Sequence, residues 1–175
     1  MKAMRSLALA ALAALTLTAA DVPRPVPDFT VHMPGGKDFK LSDYKGKVVI
    51  VEILLTTCSH CQKASQGINK VQRELGPQGM QAIGVAVNDM AQMLVEDYTK
   101  QFNLDFPVGW SPRDPVISLL QHPVMMMMSF PNLLIIDRNG QIRHQFAGGD
   151  KFFENEEKNL RDLVLPLLKA PKKST

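Results

Sequence analysis

Residues 47–75 read KVVIVEILLTTCSHCQKASQGINKVQREL, and this stretch decides the fold class. Its first part, Lys47–Leu55, is a nearly continuous apolar run, which predicts a strand covered on both faces and interrupted only by Glu52. From Ser59 to Leu75 the apolar residues recur at helical spacing. The tetrapeptide C-S-H-C at positions 58–61 therefore lies where a buried strand passes into a helix.

Strands and helices alternate on both sides of this stretch. Before and directly after it, the predicted elements are a hairpin over Phe29–Met33 and Lys37–Leu41 and a strand over Gln81–Val87. A helix over 91–102, with Asn88 and Asp89 as possible caps, a short strand over Val108–Trp110 and a helix from its cap Asp114 to Leu120 follow. The chain then forms a hairpin over Leu133–Ile136 and Ile142–Phe146 and a helix over 160–168, which Pro166 kinks or ends. This order predicts an α/β layered fold.

The chain of 175 residues is long enough for one substantial core and too short for two ordinary domains. Residues 1–20 have the pattern of a secretory signal peptide, because Lys2 and Arg5 precede the apolar run Leu7–Leu17 and small residues follow. We expect cleavage after Ala20, with an uncleaved anchor as the alternative. The prediction is a signal peptide over 1–20, one domain over 21–170 and a tail over 171–175, exported and without a membrane span after cleavage.

The charge balance excludes one class of partner. The formal net charge is +3, and without Lys2 and Arg5 the chain has 18 basic against 17 acidic residues. Such a balance gives no reason to expect nucleic-acid binding. We expect a monomer.

The chain has two cysteines, Cys58 and Cys61, and their spacing favours chemistry over stapling. A disulfide between them closes too small a loop to stabilise the fold by loss of chain entropy. A cysteine at the first turn of a helix meets unpaired N–H groups and the positive end of the helix dipole, which favour its thiolate. We therefore expect Cys58 to attack partner sulfurs and a buried Cys61 to resolve the mixed disulfide, with no cofactor or metal beyond their own redox-active disulfide.

A strand, a Cys-x-x-Cys pair, a helix and a later proline before a terminal hairpin resemble the thioredoxin superfamily. The segments 27–29 (PDF), 45–47 (KGK) and 137–140 (DRNG) resemble its exported TlpA/ResA-type branch, the redoxins related to the peroxiredoxins. This resemblance implies a central mixed β-sheet flanked by helices, with an N-terminal β-hairpin extension. It also implies exchange with thiols and disulfides of exported proteins, a redox partner protein and a location in the bacterial periplasm or extracytoplasmic space.

The resemblance also implies a substrate groove beside the cysteines. In the family a cis-proline faces the active-site disulfide, and Pro131, preceded by Phe130, stands at the matching position. The alternative is an ordinary trans proline that starts a strand. Thr57 and Ser59 stand where the family usually has tryptophan and proline, and we expect them to border the same groove.

Two polar residues near the cysteines are candidates for proton chemistry. Glu52 lies six residues before Cys58, where many thioredoxins have a buried aspartate, and from there it could deprotonate Cys61. An edge position that pairs with a lysine remains open for it. His60 resembles the histidine of DsbA-type sites and could favour the Cys58 thiolate, with a solvated histidine as the alternative.

Two further patterns concern the methionines and the class of enzyme. The run Met125–Met128 is either an adaptable apolar surface or a loop that lines the core, and we favour the loop. A thiol peroxidase is disfavoured because Leu55 and Val51 stand where that class needs a hydroxyl residue and a proline.

Copper handling remains the alternative function, because the cysteine pair, His60 and the methionines are soft ligands for Cu(I). Copper-delivery relatives usually space their cysteines by three residues and add a distant histidine. The candidates for that histidine are His32, His122 and His144.

Overall fold

The computed structural model describes residues 21–171, so the predicted signal segment and the last four tail residues lie outside the described chain. The elements are β1 Arg24–Pro25, β2 Thr30–Val31, β3 Phe39–Lys40, β4 Val48–Leu54, α1 Ser59–Leu75, β5 Met80–Ala86, α2 Ala91–Gln101, β6 Val108–Trp110, α3 Arg113–Leu120, β7 Asn132–Ile136, β8 Gln141–Phe146 and α4 Glu156–Lys169. Within 21–171 no helix is long and apolar enough to cross a membrane.

Six strands form one mixed sheet in the order β1-β8-β7-β4-β5-β6. The central strand β4 is parallel to β5 and antiparallel to β7. Strands β2 and β3 form a separate antiparallel hairpin near the N-terminus. The predicted α/β class, with a mixed sheet flanked by helices and an N-terminal hairpin, is confirmed; β1, a two-residue strand that pairs with β8, was not predicted.

The sheet separates two apolar clusters. Helices α1, α2 and α4 contribute to the first cluster, and α3 and the N-terminal hairpin contribute to the second. The residues of β4 in the first cluster are Val48, Ile50 and Leu54, and those in the second are Val49, Val51 and Ile53. Because successive side chains of a strand alternate between faces, Glu52 lies on the face covered by α1.

The structure corrects two predicted helix caps. Helix α2 begins after Met90, whose φ is 58° and whose side chain makes no capping hydrogen bond. Asn88 instead accepts a hydrogen bond from the backbone N–H of Thr56 at 2.9 Å, so its amide holds the loop before the cysteines. Helix α3 begins after Pro112, which places Asp114 in the first turn, where its charge still favours the helix dipole.

The C-terminal helix extends past its proline. Pro166 lies inside α4, which ends at Lys169. The predicted helix is therefore present, but it does not end at the proline. The proline removes one backbone donor, and the helix continues for three more residues after it.

Candidate functional site

The two cysteines lie at the N-terminus of α1, which follows the end of strand β4 after a short loop. Cys58 is the N-cap residue, and its Sγ accepts a hydrogen bond from the backbone N–H of Cys61 at 3.4 Å. Cys58 is partly exposed and Cys61 is buried. This is the arrangement expected of an attacking thiol and a resolving thiol.

The Cys61 thiol is held in its protonated form. Burial is the main cause that raises its pKa, and the nearby charges of Glu52 and Cys58 raise it further. A hydrogen bond with the backbone of Leu55 acts in the opposite direction and is outweighed. Cys61 therefore needs a base to remove its proton before it can attack a disulfide.

Glu52 is the buried base candidate in this core. It is 1% exposed, which excludes the edge position that pairs with a lysine. Its Oε2 accepts a hydrogen bond of 2.6 Å from Ser65 Oγ. Burial raises the pKa of Glu52 to about 8 and the charge of Cys58 adds to this, although the Ser65 hydrogen bond lowers it. The carboxyl group can thus exchange a proton near neutral pH.

Two hydroxyl groups continue this polar contact through the core. Ser65 Oγ lies 2.8 Å from the hydroxyl oxygen of Tyr98 on α2. While Glu52 is ionised, the single hydroxyl proton of Ser65 is donated to it, and the Tyr98 hydroxyl then donates to Ser65. Ser65 was not predicted as a site residue. The signal that could have identified it was a polar residue at a position of the amphipathic helix α1 that faces the sheet. Tyr98 lies in the predicted helix over 91–102, and no role was predicted for its hydroxyl.

The predicted groove lies next to the cysteines. The peptide bond between Phe130 and Pro131 is cis, so the trans alternative is excluded. A cavity of about 430 Å³ is lined by both residues, by His60 and Ala64 of α1, and by Phe153 before α4. The structure thus brings His60, Phe130 and Pro131 together.

Thr57 and Ser59 are exposed on either side of Cys58. Ser59 borders a neighbouring groove of about 610 Å³ between α1 and the start of α4, and Thr57 lines neither cavity. Thr57 and Ser59 therefore flank the Cys58 thiol in sequence, and neither lines the cavity that contains the cis-proline.

Gly148 packs against the loop that carries the cis-proline, and the sequence analysis missed it. A Cβ atom at this position would lie 2.5 Å from the Phe130 carbonyl oxygen and 2.8 Å from its nitrogen. Such contacts are too short for any other residue, so a glycine is needed for the two backbones to meet. No local sequence pattern identifies such a contact between distant segments.

The methionine loop contradicts the favoured prediction. Met125 is 96% exposed, Met127 94% and Met126 50%, while Met128 alone is buried. The loop ends at Ser129, directly before the cis-proline segment. The core-lining prediction is therefore wrong for the first three methionines, which form an exposed apolar stretch.

The distant histidines named for copper binding have other contacts. His32 Nδ1 lies 2.7 Å from Asp38 Oδ2, His122 Nε2 lies 3.2 Å from the carbonyl oxygen of Met126, and the His144 ring stacks near Phe146. Among residues 21–171, no group of three or more His, Cys, Asp and Glu side chains could hold a metal ion.

Residues 22–145 match the AhpC/TSA family. The chain is 27% identical over 146 residues to the thiol-disulfide oxidoreductase ResA of Geobacillus kaustophilus, an alignment that covers 83% of this chain and 80% of that protein. It is 24% identical over 133 residues to the thioredoxin-like protein YneN of Bacillus subtilis, which covers 75% of each chain.

Solved structures agree on the fold. A thiol:disulfide interchange protein of the thioredoxin family from Chlorobium tepidum superposes with a TM-score of 0.68 at 23% identity, covering 86% of this chain and 99% of that one. A secreted thiol-disulfide isomerase from Corynebacterium glutamicum gives 0.70 at 22% identity, covering 83% and 86%. The predicted thioredoxin-like fold is confirmed, and the chain belongs to the AhpC/TSA family.

Proposed function

We propose that the chain is a thiol-disulfide oxidoreductase that exchanges dithiol and disulfide with partner proteins through Cys58 and Cys61. The observation that carries the proposal is the contrast between the two sulfurs: Cys58 is reachable at the start of α1, and Cys61 is buried with its N–H directed at the Cys58 sulfur. The named relatives that are thiol-disulfide oxidoreductases support the same reaction.

In the direction that reduces a partner, the Cys58 thiolate attacks one sulfur of the partner's disulfide. A bond forms between Cys58 and that sulfur, and the other partner sulfur leaves as a thiolate with the electron pair. The Cys61 sulfur then attacks Cys58, so that the bond to the partner breaks and the intramolecular disulfide forms. The site supplies both sulfurs, and it needs no further cofactor.

Glu52 acts in the second step as the base for Cys61. The carboxylate takes the Cys61 proton as the sulfur attacks, directly or through one water, and returns it when the disulfide is reduced. The redox state of Cys58 helps Glu52 to accept this proton. The negative charge of Cys58 raises the pKa of Glu52 only while Cys58 is a free thiolate. In the mixed disulfide this charge is gone, and Glu52 ionises more readily when a base is needed.

We place the partner in the groove beside the cis-proline. The half-buried Phe130 and the buried Pro131 form one wall opposite His60, and an extended segment of the partner would lie there with its cysteine over Cys58. Thr57 and Ser59 would contact the partner on the other side of the thiol. The exposed methionines, which precede this segment in the sequence, suit partners of varied shape.

The same proposal places the protein outside the cytoplasm as a monomer, in the bacterial periplasm or an equivalent space. The signal-like pattern of residues 1–20 supports export. A secreted isomerase among proteins of the same fold is consistent with it. Its substrates would be thiols and disulfides of exported proteins, and a separate redox protein would recharge the cysteine pair.

The direction of exchange depends on the reduction potential of the cysteine pair. A protonated His60 at the start of α1 would stabilise the Cys58 thiolate and so the dithiol form, which makes an oxidant. A titration of residues 21–175 against glutathione measures this directly. A potential near about −270 mV marks a reductant, and one near about −120 mV marks an oxidant.

The activity itself is tested by turnover of insulin disulfides in the presence of a reductant. The chain should accelerate insulin reduction, and Cys58→Ser should abolish the acceleration. Ser118→Ala, an exposed serine on α3 across the sheet, is the matched control and should leave the rate unchanged. Full activity of the Cys58→Ser variant, or no activity of the unaltered chain in either direction, would overturn the proposal.

A further inference from the structure

A second buried acid lies near Glu52, and nothing in the reaction described so far uses it. Glu156 is the first residue of α4, and its Oε1 is buried without a hydrogen-bond partner among the described residues. The same holds for Oε1 of Glu52. Buried carboxyl oxygens are normally paired, so each of these two unpaired atoms calls for an explanation.

Helix α1 is shaped to admit this carboxyl group. A Cβ atom on Gly67 would lie 3.5 Å from Oε2 of Glu156, so the acid packs directly over the helix at a position without a side chain. Two residues earlier, Ser65 of the same helix holds Glu52 by its hydrogen bond. Ser65 and Gly67 lie within one turn of α1, so both acids pack against the same short segment of the helix.

The two acids also interact through their charges. Burial is the main cause that raises the pKa of Glu156 to about 9, and the charges of Glu52 and Glu157 raise it further while Lys63 lowers it. Around Glu52, the charge of Cys58 acts in the same direction as burial, and the Ser65 hydroxyl opposes it. Carboxyl groups coupled in this way titrate together, because ionisation of one disfavours ionisation of the other.

Only one of the two acids reaches solvent. Glu156 lines both the cavity of about 430 Å³ beside the cis-proline and the groove of about 610 Å³ along α1. Glu52 is 1% exposed and lines neither. A proton that Glu52 takes from Cys61 thus has no direct way to water, yet the site must release it in every cycle.

We propose that Glu156 is a proton-exchange residue that carries protons between the buried Glu52 and the solvent of the groove. This rests on the proposed exchange reaction and assigns the path of its proton. Glu156 acts through Glu52 and does not touch the reacting sulfurs.

The balance of the step is simple. As the Cys61 sulfur bonds to Cys58, the Cys61 S–H bond breaks and its proton passes to Glu52, while the departing partner sulfur keeps the electron pair. Glu52 passes a proton to Glu156 through intervening water, since the two carboxyl groups share no direct hydrogen bond, and Glu156 releases a proton into the groove. The reverse transfers supply the proton when the disulfide is reduced.

The test measures how fast Cys61 resolves a mixed disulfide formed at Cys58, by stopped flow between pH 6 and pH 10. Glu156→Gln keeps the shape of the protonated acid but cannot accept a proton. We expect its plateau rate at high pH to fall about tenfold, less than the ~100-fold of a fully lost acid or base, because water still reaches the groove slowly.

The matched control is Glu157→Gln, which removes the same charge from the next residue. Glu157 forms an ion pair of 2.7 Å with Lys70 and also raises the pKa of Glu156, so the variant reproduces the loss of a nearby charge without the loss of the buried acid. It should keep the plateau of the unaltered chain. Glu156→Asp, which keeps a carboxyl group, should recover most of the rate.

Chemical rescue separates proton transfer from structure. Imidazole is small enough for the groove, and it should accelerate resolution in Glu156→Gln in proportion to its concentration while leaving the unaltered chain unchanged. A Glu156→Gln variant that only shifts the midpoint of the pH profile, with an unchanged plateau or no response to imidazole, would overturn the inference and leave the exchange reaction intact.

A readout that does not need activity completes the design. Infrared difference spectra of the carboxyl groups should show Glu156 titrating at a lower pH in Glu52→Gln than in the unaltered chain, because the charge of Glu52 raises the pKa of Glu156. The same titration in both proteins would mean that the acids are not coupled, which contradicts the proposal. Failure of the unaltered chain to resolve any mixed disulfide would instead refute the exchange reaction and the proton path with it.

Discussion

Ser65 Oγ donates a 2.6 Å hydrogen bond to Glu52 Oε2 inside the core, joining the helix that begins at the cysteines to the strand beneath them. Both residues are buried, at 0% and 1% exposure. The hydroxyl is the one described group that directly stabilises the Glu52 carboxylate through a hydrogen bond. The pH at which Glu52 can work as a base therefore depends on Ser65.

Replacing Ser65 with alanine should move the pH profile of mixed-disulfide resolution to higher pH. The Ser65 hydrogen bond lowers the pKa of Glu52, so its loss raises that pKa above about 8. A hydrogen bond to a charged group is worth about 1.5–3 kcal/mol, which corresponds to a shift of roughly one pH unit or more. Tyr98→Phe removes only the outer hydroxyl and should shift the midpoint less. Equal shifts in both variants would count against this role of Ser65.

The buried Glu52 should also make stability depend on pH. Its pKa is raised from 4.5 to about 8 by folding, so between these values the folded chain holds a proton that the unfolded chain has released. The free energy of unfolding must then fall as pH rises through this window.

Glu52→Gln should remove this decrease in the free energy of unfolding. The free energy of unfolding of the variant, relative to that of the unaltered chain, should therefore rise between pH 5 and pH 9 by on the order of 4 kcal/mol. Denaturant unfolding of the reduced proteins at each pH measures the difference. A constant difference across the window would show that Glu52 is ionised throughout, in contradiction to its burial.

Gly148→Ala should weaken partner binding without changing the chemistry of the cysteines. The added Cβ would lie 2.5 Å from the carbonyl oxygen of Phe130, so the cis-proline loop must move. We expect the KM for insulin to rise severalfold, while alkylation of Cys58 proceeds at an unchanged rate. Ala147→Gly, at the exposed neighbouring position, is the control. An unchanged KM in Gly148→Ala would mean that the loop does not contact the partner.

The exposed methionines offer a test of whether the loop before the cis-proline binds partners. Replacing Met125 and Met127 together with glutamine removes two thioethers that are 96% and 94% exposed. Because neither contributes to the core, stability should change by less than about 0.5 kcal/mol. The KM for an unfolded protein disulfide should rise, with the KM for oxidised glutathione unchanged as the internal control. Equal KM values for the unfolded protein would assign this loop no part in binding.

The fold was predictable because its main elements carry strong local patterns. Strand β4 reads as a continuous apolar run, and α1 spans Ser59–Leu75 as its periodicity predicts. The short strand β1 was missed, since two residues that include a proline carry no strand pattern. The predicted cap of α2 was wrong because of a contact distant in sequence. Asn88 has the sequence pattern of a cap, but its side chain accepts a hydrogen bond from the backbone N–H of Thr56.

The site was predictable only as far as neighbours along the chain define it. The Cys58 and Cys61 positions followed from spacing, but the burial of Glu52 depended on the strand order, which places β4 between β5 and β7. Glu156 and Gly148 lie about 90 residues or more from the cysteines in sequence, and tertiary packing alone brings them near. An acid at the start of a helix is common, so its sequence context did not mark Glu156 as buried.

The central claim, that Cys58 takes the partner and Cys61 releases it, is tested most directly by intact mass spectrometry after reaction with a disulfide-containing peptide. Cys61→Ser should accumulate a stable adduct of one peptide, and peptide mapping should place it on Cys58. Cys58→Ser should form little adduct, because the remaining sulfur of Cys61 is buried. A stable adduct on Cys61 in the Cys58→Ser variant, at the rate seen for Cys58, would contradict the account.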